Sequence, residues 1–277
     1  HIVEPLSDIL GVRVKFIDDC IGPKVEEAVS NLESGEILLL ENLRYYKEEE
    51  KGNRDFAQKL SKFGDIYVND AFGTAHRAHA STAVIADFFP QNKCFGLLLA
   101  SEIENVKRVL EESVTPVTAI IGGAKVSSKI TIIENILDKI DHLIIGGGMA
   151  FTFIKAQGGT VGNSLVEDDK QELALEILKE AEKKNVAVHL PVDAVIADNF
   201  SEFANTQTEA IDNIPAGWMG LDVGPKTNEI FAEVIEKSKT ILWNGPVGVF
   251  EMEKFSNGTK TLGLNIAKAT KNGAFSL

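Results

Sequence analysis

Four glycine-rich loops in the second half of the sequence each directly follow a short apolar run. They cover residues 122–129, 146–149, 224–227 and 244–248. Glycine lets backbone N–H groups come close to a phosphate, and the N-terminus of a following helix adds a favourable dipole. A tight turn is the commoner explanation for any one such loop, so the argument rests on the set. Together the four loops indicate a site for a nucleotide or a polyphosphate.

The glycine loops match neither of the two common nucleotide-binding fingerprints. Residues 220–227 do not have the spacing of the Walker motif, and residues 146–151 lack the third glycine of the dinucleotide motif. A P-loop ATPase and a Rossmann dehydrogenase that binds NAD are therefore disfavoured. A nucleotide site made from these loops must be built in another way.

Two lysines in the first glycine loop have a spacing that suits anion binding. Lys125 and Lys129 lie four residues apart, so a helix that begins near Val126 would bring both to one side of its N-terminus. The helix dipole disfavours cations at that end, and an anion is expected to compensate. The alternative is a pair of ordinary solvated lysines, and the spacing alone does not separate the two interpretations.

The first half of the sequence places arginines after two further predicted strands. Arg44 closes residues 41–44 after one strand, and Arg77 lies within residues 69–81 after the next. The guanidinium fork matches carboxylate and phosphate groups with paired hydrogen bonds. Arg44 and Arg77 at neighbouring strand ends would therefore form a receptor for a small phosphorylated acid.

Two histidines and two charged runs have simpler interpretations. His76 and His79 are spaced as metal ligands can be, but no third His or Cys lies nearby in the sequence. Structural or supporting histidines are therefore favoured over a metal site. The charged runs at 47–51 and 102–107 are interpreted as solvated faces.

The composition excludes several classes of protein. The 277 residues include 28 basic and 41 acidic ones, and the net charge of −13 would repel nucleic acid and anionic membranes. No apolar run approaches the roughly 18 residues of a membrane span. Cys20 and Cys94 lie far apart without a CxxC or Cys/His cluster, so neither a disulfide framework nor a zinc site is indicated. A reducing cytoplasm is the compartment that fits best.

The elements that must position these loops alternate along the chain. Short β-branched runs predict strands at 36–40, 65–68, 117–121, 142–145, 186–191, 219–223 and 240–243. Helical apolar spacing predicts helices at 23–32, 54–63, 102–111, 127–139, 149–157, 166–184, 227–237 and 254–271. Ser164 and Glu167 form a capping box that predicts the start of the helix at 166–184. This alternation indicates βαβ units with a parallel sheet.

A turn-rich break at residues 87–94 precedes a charged helix at about 101–113, which we interpret as a linker. The sequence therefore predicts a domain boundary near Gly96, between residues 1–96 and residues 97–277. The chain begins within an amphipathic pattern and stops as an apolar strand opens. We expect that both ends are truncated.

The motifs of the two halves follow one order along nearly the whole chain. They are Glu41-Asn-Leu-Arg44, Asn69-Asp-Ala-Phe-Gly-Thr-Ala-His-Arg-Ala-His-Ala-Ser-Thr82, Gly122-Gly-Ala-Lys-Val126, Gly146-Gly-Gly-Met149, Trp218-Met-Gly-Leu-Asp222, Gly224-Pro-Lys226 and Trp243-Asn-Gly-Pro-Val-Gly-Val-Phe-Glu251. This ordered set resembles the phosphoglycerate kinases, and several of its motifs are specific.

The resemblance implies a fold and a reaction. The expected fold is α/β with two lobes, each a parallel sheet flanked by helices in a doubly wound, Rossmann-like arrangement, and the first lobe is incomplete in this chain. The expected reaction of glycolysis transfers a phosphoryl group reversibly from 1,3-bisphosphoglycerate to Mg-ADP, giving 3-phosphoglycerate and ATP. The resemblance also implies Mg²⁺ with the nucleotide and a cytoplasmic monomer that closes by hinge bending, with no nucleic-acid or membrane partner.

The resemblance assigns roles to residues that match the family's motifs. Arg44 and Arg77 match the arginines that bind phosphoglycerate, and the implied catalytic residues are Lys125, which stabilises the transferring group, and Arg44. The implied nucleotide-binding residues are Lys129, Gly146, Gly147, Gly220, Asn244 and Glu251, with Lys129 on the phosphates and Glu251 on the ribose. No metal ligand is implied within the chain.

Several family segments have no counterpart in the sequence. The amino-terminal Asp-Phe-Asn loop and the Ser-His-Leu-Gly-Arg segment are missing, as is the Gly-Gly-Gly-Asp loop that caps the nucleotide phosphates in the family. Ser128 stands where many members carry Asp. The alternative to a complete kinase is therefore a truncated nucleotide-binding fragment without turnover.

Overall fold

A computed structural model describes residues 2–277 of the chain. The chain divides into two compact units, His1–Glu104 and Asn105–Leu277. Helix α5 (Leu97–Glu111) contains the point of division. Within the described residues, none of the helices combines the length and the apolar character needed to cross a membrane.

The first unit contains two small parallel sheets. Its elements before α5 are α1 (Val3–Leu10), β1 (Val14–Ile17), α2 (Pro23–Ser30), β2 (Ile37–Leu40), α3 (Lys47–Glu50), α4 (Arg54–Ser61), β3 (Tyr67–Asn69) and β4 (Lys93–Phe95). Strand β1 pairs in parallel with β2, and β3 pairs in parallel with β4. The expectation of one parallel sheet in this lobe is therefore wrong for the first unit. Strand periodicity predicts that strands form, but not how many of them join one sheet.

Strand β4 begins at the end of the stretch that the sequence presents as a turn-rich break, residues 87–94, and extends one residue beyond it. Its three residues pair with β3 through Val68 opposite Cys94 and Asn69 opposite Phe95. All three residues of β4 are exposed, so no buried apolar face marks the strand in the sequence. Both cysteines of the chain are free thiols.

The core of the first unit lies around helix α4. Phe56 and Ala57 of this helix pack with Ile85 and Phe89, and all four are buried. The side chain of Asn53 caps α4 by accepting the N–H of Phe56 at 2.9 Å. This small core supports the loops that follow β2 and β3.

The second unit is built on a five-stranded parallel sheet with the strand order β14-β13-β5-β6-β8. Its strands are β5 (Val117–Ile121), β6 (His142–Ile145), β8 (Ala187–His189), β13 (Thr240–Asn244) and β14 (Phe275–Ser276). Its flanking helices are α6 (Ile130–Ile136), α7 (Ala150–Ala156), α8 (Gln171–Lys183), α9 (Pro225–Lys237) and α10 (Asn257–Lys271).

Alternate residues of the central strand β5 enter two different cores. Ala119 and Ile121 pack in the core that contains α6, α7 and α8, whereas Ile120 packs in the core that contains α9 and α10. Because both faces of the sheet are covered by helices, the prediction of a doubly wound α/β fold is confirmed for this unit.

A second sheet in this unit differs from the predicted arrangement. Strand β9 (Asp193–Ala197) pairs antiparallel with β10 (Thr206–Ala210) on one side and with β12 (Met219–Val223) on the other. The short strands β7 (Thr160–Val161) and β11 (Asn213–Ile214) form a parallel pair. Residues 219–223 do form a strand, β12, but it pairs antiparallel with β9 and does not belong to the parallel sheet. The expectation that it lies in the parallel sheet is wrong because the sequence did not predict β9.

Two predicted helix starts are wrong. The residues of the expected capping box do not cap a helix, because α8 begins at Gln171 after a single 3-10 turn. The Ser164 hydroxyl instead accepts the N–H of Gly220 at 2.9 Å. Helix α6 begins at Ile130 rather than near Val126, because a hydrogen-bonded turn at 126–129 precedes it.

Candidate functional site

Three of the glycine loops meet at the carboxyl ends of β5, β6 and β13 and are hydrogen-bonded to one another. The N–H groups of Gly122 and Gly123 donate to the carbonyls of Asn244 and Pro246, each at 2.9 Å. The N–H of Met149 donates to the carbonyl of Gly123 at 3.0 Å. The loops thus form one backbone-built platform at the end of the sheet where ligands bind in open α/β folds.

The glycines of this platform are required by the contacts between its loops. A Cβ atom on Gly122 would lie 2.1 Å from the carbonyl oxygen of Pro246. Gly147 has a φ of +69°, and its Cβ would lie 2.6 Å from the carbonyl oxygen of Gly123. The sequence suggested that these glycines admit a ligand, and the structure shows that they also let the loops approach each other.

The fourth glycine loop, 224–227, has a different task. The Asp193 carboxylate accepts the N–H of Thr227 at 2.8 Å and the N–H of Lys226 at 3.1 Å, and it accepts the Thr227 hydroxyl at 2.7 Å. These bonds satisfy free donors at the N-terminus of α9. The loop does not line the cavity beside the other three loops, so the expectation that all four share one site is wrong.

A cavity of about 320 Å³ opens beside the glycine platform, within the size range of small-ligand sites. Of the predicted nucleotide-binding residues, Gly147, Gly220 and Glu251 line it. Gly146 lies directly behind, since its Cβ would be 2.5 Å from Cγ1 of the lining residue Val247. The platform forms one side of the cavity.

The remaining lining of this cavity has an apolar wall that was missed in the sequence. It consists of Phe151, Leu165, Pro191, Phe200, Ile211 and Val249. These residues come from separate segments without a common motif, so only folding brings them together. Phe200 is half-exposed and lies within the polar loop at 198–205. A phenylalanine in such a loop is the sequence signal that could have pointed to the apolar wall.

The two lysines of the first loop occupy different positions. The Lys129 ammonium group donates to Oδ1 of Asn244, so these predicted residues meet at the edge of the platform. Lys125 is exposed and does not line the cavity. With α6 starting at Ile130, the two lysines do not share a helix N-terminus as the spacing suggested.

Glu167 stabilises the turn between the two lysines. Its carboxylate accepts the N–H of Ser127 at 3.0 Å and the hydroxyl of the same residue. Partial burial would raise the pKa of Glu167, but the hydrogen bonds from Ser127 and Val126 and the charge of Lys125 outweigh burial and lower it. Glu167 therefore remains ionised and helps to hold the segment that carries Lys125.

Asp222 is a buried carboxylate in the cavity wall that sequence reasoning did not single out. It is 4% exposed and accepts the N–H of Val223 at 2.9 Å and the N–H of Gly258 at 2.8 Å. Burial raises the pKa of Asp222 to about 6, although both hydrogen bonds act in the opposite direction. Asp222 joins the cavity wall to the first turn of α10, where a negative charge is favourable.

The first unit has its own polar cavity, of about 470 Å³, at the ends of β2 and β3. Arg44, Asn69 and Asp70 are among the residues that line it. Arg77 is exposed on the same loop, outside this lining, and its Nε lies 3.3 Å from Nε2 of His76. The structure therefore places Arg44 in the cavity lining and Arg77 outside it, although the Arg77 carbonyl accepts the hydroxyl of the lining residue Thr82.

The charged run at 47–51 is not a fully solvated face. Glu49 is buried, and its Oε1 lies 3.8 Å from Nδ1 of the buried His79. His79 therefore pairs with a carboxylate inside the unit. Across residues 2–277, no group of three or more His, Cys, Asp or Glu side chains is arranged to hold a metal ion.

The two cavities suit different ligands. The cavity of the second unit combines an apolar wall and a glycine platform, and Lys129 lies beside the platform but outside the cavity lining. This arrangement can hold an aromatic base and the phosphates of a nucleotide. The cavity of the first unit is lined by Arg44, which can bind an anion, and by the carboxylates of Asp70 and Glu49, which accept hydrogen bonds from Leu99 and Ser81.

Comparisons with known proteins agree on one family. The family model that matches residues 1–277 is described as phosphoglycerate kinase. A phosphoglycerate kinase of Porphyromonas gingivalis is 50% identical over 301 residues, which cover 100% of this chain and 72% of the relative. A chloroplastic phosphoglycerate kinase of Volvox carteri is 51% identical over 276 residues, which cover 100% of this chain and 60% of the relative.

Solved structures with these names are similar in fold. Phosphoglycerate kinase from Coxiella burnetii has a TM-score of 0.81 at 41% identity, covering 99% of this chain and 68% of the other. The enzyme from Pyrococcus horikoshii has a TM-score of 0.83 at 30% identity, covering 96% of this chain and 69% of the other. The chain thus spans between 60% and 72% of the length of the relatives named here.

Proposed function

Because the chain belongs to the phosphoglycerate kinase family, we propose that it takes part in reversible phosphoryl transfer from 1,3-bisphosphoglycerate to Mg-ADP, giving 3-phosphoglycerate and ATP. The observation that carries this proposal is the cavity of the second unit, which is lined by the glycine platform and an apolar wall, with the Lys129–Asn244 pair beside the platform and outside the lining. Membership of the family supports the reaction, and the cavity supports a nucleotide site in the second unit.

We propose that the nucleotide base lies against the apolar wall near Phe200 and that the phosphates lie over the platform toward Lys129. Base stacking on an aromatic ring and phosphate binding to lysine and backbone are both favourable. Glu251 lines the cavity, where its carboxylate could accept hydrogen bonds from the ribose hydroxyls. Gly146, Gly147 and Gly220 keep the cavity open by the absence of side chains.

For the other substrate, we propose the cavity of the first unit. Arg44 would bind the carboxylate or phosphate of phosphoglycerate by paired hydrogen bonds, and Arg77 would contribute a second positive charge. The support is the position of Arg44 in the cavity lining and the polar character of its neighbours.

The residues proposed for the chemical step act through charge. Phosphoryl transfer depends on in-line positioning and on neutralisation of negative charge rather than on a covalent nucleophile. Exposed Lys125 and Arg44 are suited to neutralise the transferring group. Mg²⁺ would arrive with the nucleotide, held mainly by phosphates and water, which needs no dedicated protein cage.

We further propose a domain boundary near Gly96 and a cytoplasmic monomer with hinge bending between its domains. The boundary is supported by the turn-rich residues 87–94, whereas the contacts within the chain divide it at Glu104, inside α5. The cytoplasm is supported by two free cysteines that form no disulfide framework.

The test is a turnover assay of the chain with Mg-ATP and 3-phosphoglycerate, paired with calorimetric titration of Mg-ADP. We expect turnover that requires both substrates. Lys125→Ala should lower kcat with little change in the KM of either substrate, because its role is in the transition state. An unchanged kcat in this variant would refute the role of Lys125.

The second candidate function is nucleotide binding without turnover, and it is favoured by the position of Lys125, which is exposed and outside the cavity lining. The same experiment separates the two candidates. Binding of Mg-ADP without turnover would support the binding fragment, and the absence of both would refute the proposed nucleotide site.

A further inference from the structure

One acidic residue of the first unit is buried although its neighbours are exposed. Glu49 is 3% exposed, whereas Glu48 and Glu50 on the same short helix face solvent. Burying a carboxylate is costly unless hydrogen bonds or an opposite charge compensate. The burial of the Glu49 carboxylate must therefore be compensated by hydrogen-bond partners or an opposite charge.

The side-chain partners of Glu49 all lie in one segment, residues 79–81. Its Oε1 accepts the Ser81 hydroxyl at 2.6 Å, and its Oε2 accepts the Ser81 N–H at 3.1 Å. Its own backbone carbonyl accepts the N–H of Ala80 at 2.9 Å. With His79 beside the carboxylate, both ends of the residue are engaged by the same three neighbours.

The segment that Glu49 holds is also fixed from its other side. Tyr67 at the start of β3 donates its hydroxyl to the Ser81 carbonyl at 2.8 Å, and the Asn69 amide donates to the Thr82 carbonyl at 3.3 Å. Burial, followed by the charge of Glu49, raises the pKa of the Tyr67 hydroxyl, so Tyr67 stays a donor. Residues 80–82 are therefore clamped between α3 and β3.

These hydrogen bonds of Glu49, Tyr67 and Asn69 to residues 80–82, here called the clamp, connect the two segments that carry Arg44 and Arg77. Glu49 follows Arg44 by five residues in a continuous run of turn and helix. Ser81 follows Arg77 by four residues, and the Thr82 hydroxyl donates to the Arg77 carbonyl at 2.8 Å. A shift of residues 80–82 against α3 would therefore change the position of Arg77 relative to Arg44.

We propose that Glu49 is a positioning residue that holds the Arg44 segment and the Arg77 segment in register for phosphoglycerate binding. The inference rests on the proposed function for its ligand. Glu49 lines the cavity of the first unit, but both of its carboxylate oxygens accept hydrogen bonds from Ser81, so we infer that it acts through Ser81 and His79 rather than through the ligand. Its negative charge by itself would oppose an anion, so its benefit must come from geometry.

The test compares two substitutions that remove the same charge. Glu49→Ala removes both hydrogen bonds, and we expect it to raise the Kd for 3-phosphoglycerate about tenfold, the order expected for losing hydrogen bonds to a charged group. Glu49→Gln can still accept the Ser81 N–H and can donate to the Ser81 hydroxyl. We therefore expect its Kd to stay within about threefold of the original.

Exposed Glu50 provides matched controls for both variants. Glu50→Ala and Glu50→Gln make the same changes on the same helix, and we expect them to leave the Kd for 3-phosphoglycerate unchanged. The Kd for Mg-ADP, measured on the same samples, should not change in any of these variants. Equal weakening by Glu49→Ala and Glu49→Gln, tighter binding in both, or an unchanged Kd in Glu49→Ala would overturn the proposal.

Hydrogen exchange of the unliganded protein gives an independent readout. We expect Glu49→Ala to speed exchange of the Ala80 and Ser81 amides while the amides of the second unit keep their rates. Ser81→Ala, a milder change, should act in the same direction if Glu49→Ala folds poorly. Unchanged exchange rates of the Ala80 and Ser81 amides in both variants would overturn the proposal that Glu49 holds residues 80–82. Failure of the unsubstituted chain to bind 3-phosphoglycerate would refute the proposed substrate site instead, and the exchange result would still decide the role of Glu49.

Discussion

The two cavities are built from different parts of the chain. In the second unit, one side of the cavity is backbone, because three loops are joined by hydrogen bonds such as Gly122 to Asn244. In the first unit, the cavity is shaped by side chains, with Glu49 and Tyr67 holding residues 80–82 and Arg44 in the lining.

This difference affects how each site tolerates substitution. A backbone platform depends on the absence of side chains, so adding one methyl group forces whole loops apart. A cavity made of side chains loses one contact at a time when a side chain is shortened. We therefore expect glycine substitutions in the platform of the second unit to be severe, and side-chain substitutions around the cavity of the first unit to be graded.

The largest effect is expected for Gly122→Ala. Its Cβ would meet backbone at 2.1 Å, and backbone cannot rotate away as a side chain can. We expect a loss of about 4 kcal/mol in the free energy of unfolding, together with loss of Mg-ADP binding. Urea unfolding and calorimetry measure both.

Gly73→Ala in the first unit is the control for this comparison. Nothing lies within 4 Å of its Cβ, so we expect its stability to change by less than about 0.5 kcal/mol. Equal destabilisation by Gly122→Ala and Gly73→Ala would contradict the distinction between backbone-built and side-chain-built sites.

The next effect concerns pH and the buried carboxylate of the nucleotide cavity. The pKa of Asp222 is raised to about 6 from its ordinary 3.8, so the folded state holds this proton more tightly than the unfolded state does. The free energy of unfolding should therefore fall as pH rises from about 4 to about 6, by about 3 kcal/mol, with the cost fully present above that range and absent below it.

Asp222→Asn separates this contribution from other titrating groups. Urea unfolding between pH 4 and pH 7.5 should show a smaller decrease with pH in this variant than in the unsubstituted chain. Asp212→Asn at an exposed position is the control and should keep the original pH dependence. Identical pH profiles for Asp222→Asn and the unsubstituted chain would show that burial does not raise the pKa of Asp222.

A smaller effect distinguishes the fourth glycine loop from the other three. Asp193→Ala removes the cap at the start of α9 and should lower the free energy of unfolding by about 2 kcal/mol. Because this loop lies outside the cavity, we expect the Kd for Mg-ADP of the folded variant to stay within about twofold. A large loss of Mg-ADP affinity with unchanged stability would place the loop in the site after all.

The smallest expected energies come from single charged side chains, Lys129 beside the platform of the second unit and Arg44 in the cavity of the first. Lys129→Ala should raise the Kd for Mg-ADP about tenfold, or about 1.4 kcal/mol, and leave the Kd for 3-phosphoglycerate unchanged. Arg44→Ala should raise the Kd for 3-phosphoglycerate about tenfold and leave the Kd for Mg-ADP unchanged. Calorimetric titration of both ligands into both variants tests this, and any variant that weakens both ligands equally would contradict the assignment of one ligand to each cavity.

Much of the second unit was predictable because its signals are local. The apolar runs of β5, β6 and β13 and the glycines that follow them lie within a few residues of each other, so the sequence indicated both the strands and the loops at their ends. The residues of the resemblance, such as Lys129 and Asn244, indicated the family, and the comparisons confirm that assignment.

What the sequence alone determined is therefore the alternation of strands and helices, the glycine loops and the family. Only the tertiary structure decided which loops meet, because the fourth loop is hydrogen-bonded to Asp193 instead of to the other three loops. It also decided that β12 pairs antiparallel with β9, a strand that the sequence did not predict. It also decided that Glu49 is buried beside two exposed glutamates and that Ser164 and Glu167 hold loops instead of a helix. The physical reason is that periodicity and capping are properties of neighbouring residues, whereas burial and pairing depend on partners distant in the chain.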